Sequence, residues 1–354
     1  MGKPEVLRES QRAESSRARA PGATDAPVQS TRHADDTYRM EGAGTPLVYV
    51  VVLTHNGRAD TLECLSSMEK LEYPNFRLLL IDNASTDDTV AAVQSRFPGV
   101  TLLKNGQNLG YAGANNVGME VAIRDGAEFV LLANNDITIA PDMLTHLVRT
   151  CMADDGIAIA GPTVLYYDQP DTVHHRGCFL NRATARGEVP RDRDTVRTGD
   201  PGDPVTVDYV GGCAILIRSH AVQRIGSLDE RFFAYYEETD LCFRAQEAGY
   251  RVVCVPRAEV WHKISRHWDR YPLLRMYYEF RNRLLFLWKR ASYARAIADV
   301  VLAPAYGARA VLGQWRRGAR LGLRPLSVVV CASLHFVLRR FGKASRAIER
   351  RWAS

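Results

Sequence analysis

FVLLANNDITI, residues 129–139, decides how this chain is read. Five apolar or small side chains run into Asn134, Asn135 and Asp136, and apolar residues resume at Ile137. The run suits a strand covered on both faces, and it ends on two amides and a carboxylate. Outward from it, LVYVVVLT (47–54), FRLLLID (76–82), VTLLK (100–104), GIAIAG (156–161), CAILIRS (213–219) and RVVCVP (251–256) read as further strands. ADTLECLSSMEKL (59–71), a segment starting near Ser85, GANNVGMEVAIRDG (113–126) and EETDLCFRAQEAG (237–249) carry helical spacing. Strand and helix alternate through short loops. That order predicts an α/β fold: a mostly parallel sheet with helices on both faces. Residues 167–207 are polar, rich in Arg, Asp and Pro, and weakly patterned, so an irregular excursion or flap is expected there.

Open parallel sheets bind ligands beyond the carboxyl ends of their strands. Here those ends are Thr54-His55-Asn56, then Asp82-Asn83-Ala84-Ser85 with Asp87 and Asp88 behind, then Asn134-Asn135-Asp136. Asp, Asn and Ser at any one strand end are ordinary turn and cap residues. Three successive ends of this kind are harder to explain so, because a cap needs no carboxylate on every strand. No GxGxxG follows the first strand and no GxxxxGK[ST] occurs, which removes the main signatures of dinucleotide oxidoreductases and P-loop phosphotransferases. What remains is an acceptor for a base and ribose at Asp82, and a lone carboxylate for a hard cation at Asp136. Mg²⁺ or Mn²⁺ held by one or two carboxylates and a diphosphate needs little more.

A second constellation is RFFAYYEETDLCFR (231–244), in which Glu237, Glu238 and Asp240 fall within four positions. On a helix, 237 and 240 share a face and 238 points about 100° away. Acids in a first turn suit the helix dipole. The aromatic run before them predicts partial burial as well, and a desolvated carboxylate beside others gains the proton affinity of a general base. His262, in EVWHK, ends the next strand and lies within reach of the same edge; a lone His is more often structural than a ligand.

Bulk properties frame this reading. The 354 residues are 46% hydrophobic and 24% charged, as in ordinary globular proteins. The net charge of +6 is unevenly spread: from Arg275 onward there are 17 Lys/Arg against 3 Asp/Glu, which leaves about −8 on residues 1–274. Seven cysteines without a CxxC pair suit buried thiols in a reducing cytoplasm. No apolar leader and no uninterrupted run of ~20 apolar residues is found. Residues 1–45 lack periodicity and are expected to be a disordered arm. AIADVVLAPAYGA (296–308) and LSVVVCASLHFVL (326–338) are too short to span a bilayer, and their basic flanks suit helices lying in a membrane interface. An ordinary helical domain, burying these faces on itself or on a second copy, is the alternative.

In sequence, VVVLTHNGR, LLLIDNASTDDT, NLGYAGANNVG, LLANNDITI, GGCAILIRS, FFAYYEETDLCFR, EVWH and YYEFRNRLLFL resemble the family-2 glycosyltransferases, specifically their bacterial rhamnosyltransferase-like branch, over roughly residues 46–290. The resemblance implies a GT-A catalytic domain at 46–270, with a nucleotide-sugar half (46–140) and an acceptor half (141–270), followed by a basic helical tail at 271–354. It implies inverting transfer of a hexosyl group, rhamnose favoured, from a dTDP- or UDP-type sugar to a hydroxyl of a glycan or lipid-linked acceptor. Thr54, Asn56, Asp82, Asn83, Asn108, Asn115, Asn134 and Asn135 would line the nucleotide-sugar, with Asp82 at the pyrimidine. Asp136, in the place of the family's Asp-x-Asp-type motif, and His262 would hold the divalent metal. The acidic cluster would supply the base. The family commonly has Glu-Asp where this chain has Glu237-Glu238, and Glu238 is longer by one methylene, about 1.5 Å of reach. Glu238, Glu237 and Asp240 therefore all stay candidates. Tyr236 and Arg281 are candidates for acceptor or lipid phosphate, with an aromatic-faced helix closing over the sheet as the plain alternative for the 277–282 stretch. The expected setting is cytoplasmic and peripheral to an anionic membrane surface, without nucleic acid and with the C-terminal helices as a route to a homo-oligomer. A nucleotide-sugar-binding scaffold and a nucleotidyltransferase are the rival readings.

Overall fold

A computed structural model describes residues 29–31, 44–188, 193–197, 202–264, 271–316 and 323–352. Most of the expected N-terminal arm lies outside these residues. Its one described piece, β1 (Gln29–Thr31), pairs antiparallel with an edge of the sheet. The first half of the fold is β2 (Val48–Thr54), α1 (Arg58–Met68), β3 (Phe76–Asp82), α2 (Thr89–Arg96), β4 (Thr101–Lys104), α3 (Gly110–Arg124) and β5 (Phe129–Asn134). β4, β3, β2 and β5 lie side by side and parallel. In register, Thr54 stands beside Asp82, Asp82 beside Lys104, and Leu53 beside Asn134. Three polar strand ends are thereby aligned along one edge.

The alternation of side chains explains why these strands are apolar throughout. Val48, Val50 and Val52 face one core with Leu78, Leu80 and the helices α1 and α2. Tyr49 and Val51 face the other with Leu79, Ile81 and α3. Both faces are covered, so neither strand can show polar alternation.

The second half departs from a purely parallel plan. β6 (Ile137–Ile139) and α4 (Met143–Met152) lead into β7 (Ile157–Tyr166), β8 (Gln169–Arg176), β9 (Phe179–Asn181), β10 (Arg186–Glu188) and β11 (Val205–Thr206). β12 (Ala214–Arg218), α5 (Ser219–Ile225), α6 (Glu237–Glu247) and β13 (Arg251–His262) follow. β12 inserts antiparallel between β5 and β7, and β13 lies parallel to β7. The expected excursion at 167–207 is largely paired instead: β8 runs antiparallel to β7, and β9 and β10 form a hairpin. Its alternation was masked because one inward position of β8 is His175 rather than an apolar residue; Val173 is the other. A register shift between Val255 and Glu259 bends β13, and its far end pairs with β6, His262 opposite Ile137. That pairing carries His262 to the residue that follows Asp136.

The C-terminal helices are bound into the site. α7 (Pro272–Phe286) continues into a π-helical turn (Leu287–Ala291), then α8 (Tyr293–Val301), α9 (Ala303–Arg316), α10 (Arg324–Val337) and α11 (Arg346–Trp352). α7 packs on the aromatic segment just before α6. There Phe233, Tyr235 and Tyr236 hold φ values of 67°, 71° and 75°, which cost residues with a Cβ on the order of 1–3 kcal/mol each. Asn282 Nδ2 donates to the carbonyls of Phe232, Ala234 and Tyr235 at 2.8, 2.7 and 2.9 Å. Arg281 donates to Phe232 O at 3.1 Å and Gly342 O at 2.8 Å. The amide of Tyr111 donates to Phe233 O at 2.7 Å from the other side, where Gly110 leaves no Cβ to strike the Phe233 ring. Asn282→Ala strands these buried carbonyls, so we expect a loss of about 2–4 kcal/mol in denaturant unfolding. An unchanged unfolding midpoint would show that the turn holds itself.

Candidate active site

The donor edge is built from loops that tie the strand ends to one another. Asn56, at φ 52°, accepts from the amides of Thr86 at 2.7 Å and Asp87 at 3.3 Å, joining the ends of β2 and β3. Asn83 accepts from Leu109 N at 2.9 Å and donates to Asn108 Oδ1 at 3.0 Å, while Asn108 also accepts from Gly110 N at 2.9 Å. Asn105, which the sequence reading missed, donates to Asn83 at 3.2 Å. Asn83 and Asn108 thus shape the loop entering α3. Asn115 is buried within α3 and donates to Tyr111 O at 3.0 Å, with its Oδ1 unpaired. Asp82 is buried, and each of its oxygens takes only a 3.3 Å bond from Ser85 N, which leaves acceptor capacity at the strand end. Thr54 and Thr61 share a 2.8 Å hydroxyl bond, and Asn135 Nδ2 donates to both, at 3.2 and 3.0 Å. A Cβ on Gly57 would lie 2.4 Å from that amide. Asn135 therefore points back into the sheet and fixes the turn that presents Asp136.

Asp136 and His262 meet: His262 Nε2 lies 3.3 Å from Asp136 Oδ1, a buried oxygen with no hydrogen-bond partner. Burial opposes charge on the carboxyl, yet His262 brings its pKa below the usual value. Burial also opposes the imidazolium; Cys213 and Asp136 reverse that and raise its pKa to about 10. Among the described residues no three His, Cys, Asp or Glu groups form a complete metal site. One carboxylate and one imidazole are half a coordination sphere. They fit a hard or borderline cation whose remaining ligands come from a diphosphate and water.

The acidic cluster sorts itself by burial. Asp240 is fully buried and held by Arg244, Lys289 and Arg290 at 2.9, 2.8 and 3.0 Å, the centre of an ion-pair cluster. Arg281 is likewise fully buried, with its guanidinium donating to backbone carbonyls. Tyr277 and Tyr278 are buried beside it. Glu237 is buried and Glu238 partly so, and each has an unpaired Oε2. Burial raises both carboxyl pKa values, and the charge of Glu238 adds to the rise at Glu237. Glu238, not Glu237, lines an open cavity of about 360 Å³ together with Tyr236. Tyr236 donates to Ala185 O at 2.9 Å.

The Gly211–Cys213 turn links the two halves. Tyr111 donates to Gly212 O at 2.5 Å, and Glu238 Cγ lies 3.7 Å from where a Gly212 Cβ would be. Cys213 bears on His262, and its carbonyl accepts from Asn134 N at 2.9 Å. The turn thus touches both groups, His262 through Cys213 and Glu238 through Gly212. Tyr111 and the glycine turn escaped the sequence reading because nothing polar marks them.

A sheet of this topology, with an acidic strand end, a histidine beside it and carboxylates across a glycine turn, is a GT-A glycosyltransferase. The mannosyltransferase PcManGT from Pyrobaculum calidifontis, solved with GDP-Man and Mn²⁺, shares the fold at TM-score 0.51 and 17% identity, covering 89% of this chain and 92% of that one. The chain belongs to glycosyl transferase family 2, whose model matches residues 49–224, about half of it. Its relatives include rhamnosyltransferases. The N-acetylglucosaminyl-diphospho-decaprenol L-rhamnosyltransferase of Mycobacterium tuberculosis is 28% identical over 70% of this chain and 86% of its own length. The dTDP-rhamnosyl transferase RfbF of Shigella flexneri is 25% identical over 68% and 80%.

A raised carboxyl pKa means that the folded state holds its proton more firmly than the unfolded chain. Glu237 and Glu238 then favour folding at low pH and weaken it as pH climbs through the raised values. Glu237→Gln removes part of that cost. We expect its melting temperature at pH 8 to exceed the wild type's by about 2–4 °C, the shift that about 1 kcal/mol gives in a large domain. The difference should shrink toward pH 4.5. A lower melting temperature at pH 8 would mean that the charge is well accommodated.

Proposed function

We propose that the protein transfers a hexosyl group, with rhamnose favoured, from a dTDP- or UDP-linked sugar to a hydroxyl of a glycan or lipid-linked acceptor, with inversion. The observation that carries this reading is the pairing of two half-sites across the Gly211–Cys213 turn. Asp136 and His262 lie on one side, and Glu238 faces a cavity on the other. Asp82 and the loops behind Asn56 and Asn83 seat the nucleoside. Asp136 and His262 would hold Mg²⁺ or Mn²⁺, which when bound neutralises charge growing on the leaving diphosphate. Glu238 takes the proton of the acceptor hydroxyl as its oxygen bonds to the anomeric carbon. The bond from that carbon to the diphosphate oxygen breaks on the opposite face, and the electron pair leaves with the diphosphate. No covalent sugar–enzyme intermediate is needed. The rhamnosyl preference rests on what the relatives are named for.

Glu238→Gln should lower kcat by about 10²–10⁴-fold with the donor still bound, read by calorimetry beside a turnover assay over dTDP- and UDP-sugars. In the wild type, kcat should fall toward acid pH with a midpoint above 4.5, the side to which burial moves Glu238. Asp136→Ala and chelation should each suppress transfer. Full activity in either carboxylate variant would refute the assignment, and donor binding without any turnover would favour the scaffold reading.

The same reading places the enzyme at an anionic membrane surface. Among the described residues no helix is long and apolar enough to cross a membrane. On α10, Val330, Leu334 and Val337 are exposed at positions that share one helical stripe, and Leu338, Arg339, Arg340 and Lys343 follow it, all exposed. Vesicles containing phosphatidylglycerol should sediment with the protein at low salt and release it at high salt. Arg339→Glu with Arg340→Glu should weaken this several-fold while donor hydrolysis is retained. Equal sedimentation of the charge-reversed protein would remove the anchoring idea.

A further inference from the structure

Lys263 follows directly on His262, and no step proposed above uses it. Its side chain is only 7% exposed, and its Nζ lies 2.5 Å from Asp60 Oδ1 and 2.6 Å from Glu63 Oε2, both on α1. The same nitrogen sits over the ring of Tyr167, 4.9 Å from its centroid. Tyr167 stands in the turn between β7 and β8, and its hydroxyl donates to Glu63 Oε1. A single exposed ion pair contributes little. Here one shielded ammonium joins two carboxylates and an aromatic face, drawn from three separate elements: the end of β13, α1 and the β7–β8 turn.

The backbone shows what this cluster holds. Lys263 N donates to Asp136 O at 3.0 Å, and Tyr167 N donates to His262 O at 3.1 Å. Each member of the pair assigned to the cation is thus bonded through the main chain to a member of the cluster. α1 grips the approach to Asp136 as well: Cys64 Sγ donates to Asn134 O at 3.4 Å, and Asn135 Nδ2 donates to Thr61 Oγ1 at 3.0 Å. β6, which sets His262 opposite Ile137, is three residues long and gives the pair little rigidity of its own. Just beyond Lys263, Ile264 holds a φ of 32°, so the chain turns away at once and Lys263 is the last anchor of this edge. Two ligands bind a cation tightly only when the groups behind them hold both in place before it arrives.

We infer that Lys263 is a positioning residue for the cation site: its ammonium, clamped by Asp60, Glu63 and Tyr167, fixes the spacing of Asp136 and His262 and so sets how tightly the divalent cation binds. Its charge is spent on α1 and not on the diphosphate. The inference rests on the metal assignment proposed above and adds the residue that preorganises it.

The test titrates Mn²⁺ into the full chain in the presence of dTDP or UDP and reads free Mn²⁺ by electron paramagnetic resonance, which needs no turnover. Lys263→Met keeps the length of the side chain and removes its charge. It should weaken Mn²⁺ binding about tenfold or more, leave metal-free binding of dTDP and UDP within about twofold, and keep kcat within about threefold once Mn²⁺ saturates. Lys263→Arg, which can still bridge both acids, should hold Mn²⁺ affinity within about threefold. Asp60→Asn with Glu63→Gln opens the clamp from the more exposed side and should weaken Mn²⁺ binding as Lys263→Met does; it decides alone should Lys263→Met fail to fold. Val328→Ala, in the core of the tail helices, is the control for lost stability and should leave Mn²⁺ affinity unchanged. The inference is overturned if Mn²⁺ affinity is unmoved in the folded clamp variants, or if Val328→Ala weakens it equally. Weaker metal-free nucleotide binding in Lys263→Met would make the lysine a phosphate ligand and overturn it too. Wild-type protein that binds no Mn²⁺ sinks the metal assignment and this inference with it. Mn²⁺ binding without turnover of any nucleotide-sugar sinks the glycosyl-transfer reading and leaves the clamp standing.

Discussion

Asn282 holds three carbonyls of a turn that has every reason to relax. Phe233, Tyr235 and Tyr236 sit in the left-handed region without being glycine, and the next residues are Glu237 and Glu238. Left alone, the turn would give back several kcal/mol by flipping to extended backbone, and the helix carrying the acids would start elsewhere. Asn282 and Arg281 below it, and the Tyr111 amide above it, satisfy its carbonyls in the strained form only. The position of Glu238 is thus set by a helix some 45 residues further along the chain. The same helix lines the cavity that Glu238 lines, so one rigid element sets both the carboxylate's position and a wall of that cavity.

How much of this the sequence discloses depends on range. The donor edge was legible because it is local: each strand is an apolar run ending in Asp or Asn, and parallel register needs nothing more to align the ends. Asp136 and His262 could be suspected individually, but only the β6–β13 pairing brings them within 3.3 Å, and a short strand of three residues gives almost no pattern. The acids at 237–240 were equally plausible in sequence. Burial separates them, and burial is decided by Lys289 and Arg290, about 50 residues away. Arg281 and Arg283 show the same difficulty more sharply. They are two residues apart on one helix, one sealed on carbonyls and one ion-paired to Asp299 beside a cavity, and no local rule distinguishes them.

The uneven charge also changes meaning in three dimensions. An acidic body and a basic tail suggest a tail seeking an external anion. Part of that complementarity is internal: Lys289 and Arg290 meet Asp229, Asp240 and Glu247 of the body, while Arg283 and Arg295 pair with Asp299 within the tail. Burial would raise the carboxyl pKa of Asp229, yet Arg231 and Lys289 hold it well below the usual range, so this pairing persists far into acid.

These observations divide the protein by the kind of constraint each half obeys. The parallel sheet positions its polar ends by register alone, and the family match, residues 49–224, covers that sheet and runs on into α5, stopping before α6. The acceptor half is assembled by α7 and the hairpin acting on a strained turn, through buried amide and guanidinium contacts that tolerate little change. Substitutions around the donor edge alter contacts one at a time. A change in α7 would shift the strained turn, Glu238 and the cavity wall together, so its effects should come in large steps rather than by gradual adjustment.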